Sequence, residues 1–211
     1  MDLNKLKEIS DSLQKFREDR LLTFEKQAKG YIKNINEEFS EFLIAVKNND
    51  VNEVIDALCD LTVFTLNQIQ TSNPEKLEYI LTGYERVNEY LKLLYTSDIS
   101  NEEKLKNVEK FIEKSIFKFL DMVVDSEVLD KTEADNFSIF ICSYYMGIGS
   151  WLSAIEYLGY DSYIAMNETL KEIHSRIGKY DETLGKWVKD TSEEAKSKWY
   201  KADYSKALYK K

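Results

Sequence analysis

The 211-residue sequence predicts an all-α fold, and two observations carry that prediction. The chain has one proline and only seven glycines, so few residues interrupt long helices. Apolar spacings of three and four recur along it, whereas no alternation of apolar and polar residues persists long enough to indicate strands. The length suits one large domain or one domain with a helical insert. We therefore expect residues 1–211 to form a single all-α domain.

Two helices are predicted on either side of a short turn near residue 50. The first has the core stripe of an amphipathic helix, formed by Phe39, Phe42, Leu43 and Val46. The second has one apolar face, formed by Val54, Leu58 and Leu61, and further apolar residues on its other side, Ala57, Val63 and Phe64. Both faces of the second helix are thus predicted to be covered. Asp50, three residues before Glu53, has the pattern of a helix N-cap.

Acidic residues mark both helices. Glu37-Glu38-Phe39-Ser40-Glu41 lies on the first, and Glu53-Val54-Ile55-Asp56 on the second, with Asp60 one turn further on. Residues three or four apart share a helical face, so antiparallel helices would bring four or five carboxylates together. Such a cluster repels itself unless cations bind, and hard oxygen ligands suit Mg²⁺ or Mn²⁺.

A charged surface is the alternative interpretation of these motifs. Asp and Glu make up 38 of the 211 residues, so one acidic pair three residues apart carries little weight. Spacing alone leaves the metal site and the solvated surface both open.

Three further helices are predicted from apolar spacing: Pro74 to Tyr95, Asn101 to Val124 and Thr132 to Tyr145. Gly147 and Gly149 follow, and they favour close helix packing or a bend before Trp151. The two cysteines, Cys59 and Cys142, provide no disulfide framework, and Cys59 is expected to be a buried thiol.

Charge and hydropathy argue against several function classes. The net charge of −9 disfavours a nucleic-acid duplex as partner. No apolar run approaches the length that spans a bilayer, and no signal sequence is visible, so we expect a cytoplasmic protein without a membrane partner. Lysines in the C-terminal region either face phosphate or are solvated, and His174, the sole histidine, either contacts substrate or has a structural role at a helix end.

Two segments resemble a known family. NEEFSEFLIAVKNNDVNEVIDALCDLTVFTLNQI resembles the all-α nucleoside triphosphate pyrophosphohydrolases, the MazG-like and phosphoribosyl-ATP-pyrophosphohydrolase-like group, whose signature is EExxE, a turn, then ExxD. LSAIEYLGYDSYIAMNETLKEIHSRIGKYDETLGKWVKD, continuing to KWYKADYSK, is similar to the C-terminal half of phage-type members. The resemblance covers roughly residues 20–70 and 150–206. Residues of about 71–148 then form a helical insertion between the metal-binding helices and the C-terminal block of a MazG-like bundle.

The resemblance implies a Mg²⁺-dependent enzyme, with Mn²⁺ as a possible substitute, that converts an NTP or dNTP to its monophosphate and pyrophosphate. It assigns the metal to Glu38, Glu41, Glu53 and Asp56. Glu37, Glu38 and Asp60 become the catalytic candidates, as general base or as completion of the metal's ligand shell. It assigns the substrate's phosphates to Arg176, Lys186 and Lys189.

The family also implies a homo-oligomer, unless the inserted helices replace the partner subunit. Two other function classes stay open beside the enzyme. One is a non-catalytic protein that binds and sequesters a nucleotide, and the other is a structural helical interaction module whose carboxylates are surface charge.

Overall fold

A computed structural model describes residues 1–68, 74–94, 99–128, 133–183 and 186–210. Within these ranges it does not describe the side chains of residues 24–26, 28, 29, 74, 94, 117–128, 133–144 and 186. The elements in the described part are, in order, α1 (Leu3–Asp19), α2 (Phe24–Lys47), α3 (Val51–Leu66), α4 (Pro74–Leu94), α5 (Asn101–Val128), α6 (Glu133–Tyr157), α7 (Ser162–Ser175), β1 (Gly178–Asp181), β2 (Lys186–Lys189), α8 (Glu193–Lys196) and the 3₁₀ helix η1 (Tyr204–Ala207).

The all-α prediction is confirmed, with one small departure. Strands β1 and β2 pair as an antiparallel hairpin in which Gly178 lies opposite Lys189 and Asp181 opposite Lys186. Four-residue strands are too short for their alternation to stand out in the sequence. Gly178 is required there, because a Cβ at this position would lie 2.3 Å from the carbonyl oxygen of Val188.

Helices α2 and α3 form a tight helical hairpin. The turn residue Asn49 has φ 56°, a left-handed conformation that asparagine tolerates better than most residues. Asp50 then caps α3, because its Oδ1 accepts hydrogen bonds from the amides of Asn52 (3.1 Å) and Glu53 (3.2 Å). The predicted N-cap is therefore confirmed. The short turn packs α3 against α2, so the two acidic motifs lie on neighbouring helices.

Helix α3 is covered on both faces, as predicted. Val54, Leu58 and Leu61 are fully buried on one face, and Ala57 and Val63 are buried on the other. The helix contacts α1, α2, α6 and α7. This burial places the acidic side of α3 against protein instead of bulk water.

The three predicted helices beyond α3 are present as α4, α5 and α6. The predicted ends at Val124 and Tyr145 were too early, since α5 continues to Val128 and α6 to Tyr157. Tyr95 and Thr132, the predicted end of one helix and start of another, lie outside the described residues. Helix α6 contacts α3, α4 and α5, and α5 also contacts α2. A single domain of residues 1–211 remains a prediction that agrees with these contacts.

The contact between α4 and α6 depends on glycine. A Cβ on Gly149 would lie 2.7 Å from the backbone nitrogen of Tyr84 and 2.8 Å from the carbonyl carbon of Gly83. The prediction of close helix packing at this glycine is confirmed.

The core is one cluster of buried side chains, with members in each of α1 to α7 and in η1; its largest fully buried members include Trp151, Phe42 and Leu58. Cys59 is a buried free thiol, as expected, and the side chain of Cys142 lies outside what is described.

In the described part of the chain, no helix combines the length and apolar character needed to cross a membrane.

Candidate functional site

The α2–α3 hairpin turns only some of its carboxylates inward. Glu38, Asp56 and Asp60 are partly buried. Glu41 and Glu53 are exposed at the edge of the same region. The two helices therefore present an inner set of three carboxyl groups with two more at its rim.

The inner carboxyl groups act on one another electrostatically. Burial, followed by the charges of Glu41 and Asp56, raises the pKa of Glu38 to about 7. Burial, then Asp56 and Glu38, raises the pKa of Asp60 well above its ordinary value. Burial is the larger cause of both shifts, and the charges of neighbouring carboxyl groups add to it. The convergence of these carboxylates on a metal ion remains a prediction.

Glu37 is oriented differently from Glu38. Its carboxylate pairs with Lys33 one turn earlier, at 3.1 Å, and its side chain is 55% exposed. Glu37 lies on the solvent side of α2, while Glu38 faces α3. Its proposed catalytic role remains a prediction.

Arg176 extends the site from the other end of the chain. Helix α7 ends at Ser175, and the guanidinium of Arg176 donates to Glu172 Oε1 at 2.8 Å. Its positive charge lowers the pKa of Glu38, Asp56 and Asp60 and so opposes the upward shift of each. Its Nε is buried and has no hydrogen-bond partner among the described residues. Arg176 therefore has one donor engaged and another left over beside the carboxylates.

Arg20 of the α1–α2 connection holds the end of α7 in place. Its Nη2 donates to the carbonyl oxygens of Arg176 (3.0 Å) and His174 (3.4 Å). The guanidinium lies over the Phe16 ring, 4.0 Å from the centroid, and 5.0 Å from that of Trp187. These contacts fix the backbone from which the Arg176 side chain extends.

His174 belongs to the same support. Its ring packs edge-on against Phe16, 5.5 Å between centroids, and its Nε2 lies 3.1 Å from Ser12 Oγ. Burial, then the charge of Arg20, lowers its pKa. These contacts with α1 favour the structural role at the helix end over contact with substrate.

The β1–β2 hairpin places a second positively charged side chain, Lys189, near Arg176. Lys189 pairs with Gly178, two residues beyond Arg176. Burial, then the neighbouring charge of Arg176, lowers the pKa of Lys189, and its Nζ lies 5.0 Å from the Trp199 ring centroid. The indole Nε1 of Trp199 is buried, with no partner among the described residues.

Lys186 is placed less closely. Its backbone pairs with Asp181, at the other end of β2 from Lys189. Its side chain lies outside what the structure describes. The assignment of Lys186 to phosphate therefore stays a prediction from the sequence.

Two residues at this site were not singled out from the sequence. Glu172 accepts from Arg176 and from the amide of Ala202 at 2.8 Å, and its charge raises the pKa of Asp56. Tyr204 donates its phenol proton to Asp56 Oδ1 at 2.5 Å. Glu172 could have been found from its position four residues before Arg176, since this spacing allows a helical ion pair. No local pattern distinguishes Tyr204 from the other thirteen tyrosines.

The carboxyl groups of Glu38, Asp56 and Asp60 are of the chemical type that binds a hard divalent cation. In the described ranges, no group of three or more His, Cys, Asp or Glu side chains is arranged to hold a metal ion. The inner groups are nevertheless all carboxyls, and the pKa values of Glu38 and Asp60 are raised partly by mutual repulsion. A bound cation relieves this repulsion, and carboxylate oxygens are the ligands that Mg²⁺ prefers.

Comparison with known proteins gives one match. Residues 7–78 match the family model described as phosphoribosyl-ATP pyrophosphohydrolase. The matched segment contains both acidic motifs, and the match confirms the resemblance of this part of the chain to the MazG-like all-α NTP pyrophosphohydrolases. The resemblance of residues 150–206 remains a prediction from the sequence. The chain matches no curated protein and no solved structure.

Proposed function

We propose that this chain, whose residues 7–78 match the phosphoribosyl-ATP pyrophosphohydrolase family, is a Mg²⁺-dependent nucleoside triphosphate pyrophosphohydrolase. The family supports a pyrophosphohydrolase that acts on a nucleotide, and the finer assignment to an NTP or dNTP is ours. The observation that carries it is the inner carboxyl group set of α2 and α3 beside Arg176. Carboxylates to hold a cation and a guanidinium to meet phosphate are the two elements that hydrolysis of a triphosphate needs.

The acidic residues have two proposed roles, metal binding and proton transfer, and Glu38 is a candidate for both. Glu38, Glu41, Glu53 and Asp56 would hold Mg²⁺, with Mn²⁺ as a substitute. When bound, the cation offsets the charge of the triphosphate and makes water a better nucleophile. Glu41 and Glu53 are exposed at the rim, so their carboxylates would have to turn toward the inner set to share a cation with Glu38 and Asp56.

Proton transfer is assigned to the inner carboxyl groups. A general base works best when its pKa is near the working pH, and without a bound cation the pKa of Glu38 is about 7. Glu38 can therefore act as the base only where it is not itself a metal ligand. Asp60 is the alternative base, one turn beyond Asp56, and its pKa is also raised. Glu37 is the weakest of the three candidates, because Lys33 holds it on the solvent side of α2.

The basic side chains of Arg176 and Lys189 bind the substrate's phosphates. The Nε–H of Arg176 has no hydrogen-bond partner within the described part of the chain, and the charge of Arg176 acts on both the carboxyl groups and Lys189. Together they would orient the triphosphate so that its α-phosphorus faces the inner carboxyl groups. Pyrophosphate then leaves as a unit, as in the family. Glu172 orients Arg176 through their 2.8 Å contact.

A product assay tests this function. The purified chain is incubated with Mg²⁺ and each NTP, each dNTP and phosphoribosyl-ATP, and the products are resolved. We expect pyrophosphate with the matching monophosphate, and no product when EDTA replaces Mg²⁺.

Glu53→Gln should abolish turnover, and Arg176→Ala should raise KM or lower kcat about 10–100-fold, as expected for a lost charge-assisted phosphate contact.

Glu85→Gln, an exposed glutamate on α4, is the matched control and should keep wild-type activity. Orthophosphate as the first product would contradict the proposal. Tight nucleotide binding without any product would favour a sequestering protein. Absence of both metal and nucleotide binding would favour a structural module.

A further inference from the structure

The C-terminal segment, residues 199–209, reaches the acidic site from more than 120 positions beyond the end of the family match. We propose that Tyr204 of this segment is a positioning residue that fixes the Asp56 carboxylate for cation binding. This inference rests on the proposed function, because it takes Asp56 to be a metal ligand.

The contact between Tyr204 and Asp56 is direct and partly buried. Tyr204 is 5% exposed, and its phenol donates to Asp56 Oδ1 at 2.5 Å. The bond therefore fixes the position of Oδ1 relative to the C-terminal segment.

The hydroxyl group of Thr169 extends this contact to a chain of two hydrogen bonds, from Thr169 through Tyr204 to Asp56. Thr169 Oγ1 lies 2.9 Å from the Tyr204 phenol oxygen. A phenol has one proton, so when Tyr204 gives it to Asp56, Thr169 must be the donor toward Tyr204. Thr169 also lies 3.3 Å from the carbonyl oxygen of Ala165, a longer contact that competes for the same proton. Successive hydrogen bonds of this kind polarise one another and strengthen the bond to Asp56.

The backbone around Tyr204 is held at both ends. The amide of Asp161 donates to the carbonyl oxygen of Ala207 at 2.7 Å, and the amide of Tyr209 donates to that of Gly159 at 3.0 Å. On both sides of Tyr204 in the sequence, residues also bind the buried carboxylate of Glu168, which accepts from the phenol of Tyr200, the amide of Asp203 and the ammonium of Lys206. The phenol of Tyr204 therefore has a fixed position from which to hold Asp56.

Fixing the carboxylate matters because its terminal torsion is otherwise broad. Rotation about the last bond of an aspartate has no sharp preference, so a free Asp56 would sample many orientations. The phenol engages Oδ1 and does not use Oδ2. Hydrogen bonds to metal-ligating carboxylates are part of most metal sites, and their loss typically weakens metal affinity by about 10–100-fold.

The test compares the Mn²⁺ affinity of the full chain with that of two variants, each of which lacks one phenol hydroxyl group. The electron paramagnetic resonance signal of free Mn²⁺ measures the affinity. Tyr204→Phe should weaken Mn²⁺ binding by about 10–100-fold. Tyr209→Phe is the matched control: it removes a phenol from the same segment, but one that donates to Glu156 instead of Asp56. We expect this control to bind Mn²⁺ like the wild type. Circular dichroism verifies that each variant retains its helices.

Thr169→Val provides a second variant should Tyr204→Phe fail to fold. It keeps the Tyr204 phenol and removes the hydrogen bond from Thr169 to that phenol, so we expect a smaller loss of Mn²⁺ affinity in the same direction. Unchanged affinity in a folded Tyr204→Phe, or in Thr169→Val, would overturn the inference, as would a wild-type chain that binds no Mn²⁺. A wild type that binds Mn²⁺ but releases no pyrophosphate would contradict the proposed function alone, because the affinity comparison would still decide the role of Tyr204.

Discussion

At the residue scale, Glu38 and Glu168 show how differently two carboxyl groups behave on one chain. Burial and neighbouring acids raise the pKa of Glu38 to about 7. Burial alone would also raise the pKa of Glu168, but hydrogen bonds from Lys171, Tyr200 and Lys206 outweigh it and lower the pKa to about 2. Glu168 is paired with the ammonium groups of Lys171 and Lys206, whereas the charge of Arg176 offsets only part of the upward pKa shift of Glu38. This contrast is the physical reason to expect an added cation at Glu38.

A pH dependence of stability follows from Glu38. Its pKa is about 7 in the folded chain against an ordinary value of 4.5, so the folded state binds more protons between these two pH values. The free energy of unfolding must then fall as pH rises through this window. In EDTA, we expect Tm to fall between pH 5 and pH 8 by roughly 2–6 °C more in wild type than in Glu38→Gln.

Glu37→Gln is the control for this experiment, since Glu37 is exposed and neighbours Glu38 on the same helix. It should follow the wild-type pH profile. Some slope should survive in Glu38→Gln, because Asp56 and Asp60 also have raised pKa values. Mg²⁺ should raise Tm at pH 8 in the wild type. A Glu38→Gln profile as steep as the wild type would contradict the assignment of the slope to Glu38.

At the element scale, the contact between α4 and α6 depends on the lack of a side chain at Gly149. A methyl group there would meet backbone atoms of Gly83 and Tyr84 at 2.7–2.8 Å, and backbone cannot rotate away as a side chain can. We expect Gly149→Ala to lower the free energy of unfolding by about 1–3 kcal/mol, the usual cost of overpacking. Chemical denaturation measures the change.

Gly30→Ala is the matched control on another helix. The nearest atom to a Cβ at Gly30 is the Asn34 side-chain amide nitrogen at 3.7 Å, an ordinary contact. Alanine is favoured over glycine inside a helix, so this substitution should stabilise the protein by about 0.5–1 kcal/mol. Equal effects of the two substitutions would show that helix propensity, not the α4–α6 contact, governs Gly149.

The sequence predicted helices better than it predicted their ends. The spacing of apolar residues located α4, α5 and α6, and Asp50 located the start of α3, because helix periodicity and capping are local properties. Apolar spacing ended α6 at Tyr145 instead of Tyr157, because residues 147–155 are all buried and no polar face marks the helix there. The β1–β2 hairpin was missed because its pairing is made across a turn and its strands are short.

At the scale of the whole molecule, the segment that matches the family depends on the rest of the chain. Helix α3 lies within residues 7–78, yet its buried faces contact α6 and α7 as well as α1 and α2. A fragment of residues 1–78 would expose Val54, Leu58, Leu61 and their neighbours to water. We expect this fragment to lack cooperative thermal unfolding by circular dichroism, whereas the full chain unfolds in one transition.

Cooperative unfolding of fragment 1–78 would show that α1 to α3 form an independent unit, and it would argue against a single domain of residues 1–211. Limited proteolysis of the full chain gives an independent measure. Release of a stable fragment spanning about residues 71–148 would likewise contradict the prediction that the inserted helices belong to that domain.

The sequence by itself determined the all-α fold class, the α2–α3 hairpin and the residues of its two acidic motifs. These follow from periodicity, capping and spacing, which act over a few residues. Only the tertiary structure decided which acids turn inward: Glu38, Asp56 and Asp60 are partly buried, while Glu37, Glu41 and Glu53 are exposed. It also brought Arg176, Glu172 and Tyr204 to the site, across more than 110 residues of chain. Long-range packing of α7 and the C-terminal segment against α3 made these contacts. The family resemblance named Arg176 as a phosphate ligand, but no local pattern in the sequence places Arg176, Glu172 or Tyr204 beside α3.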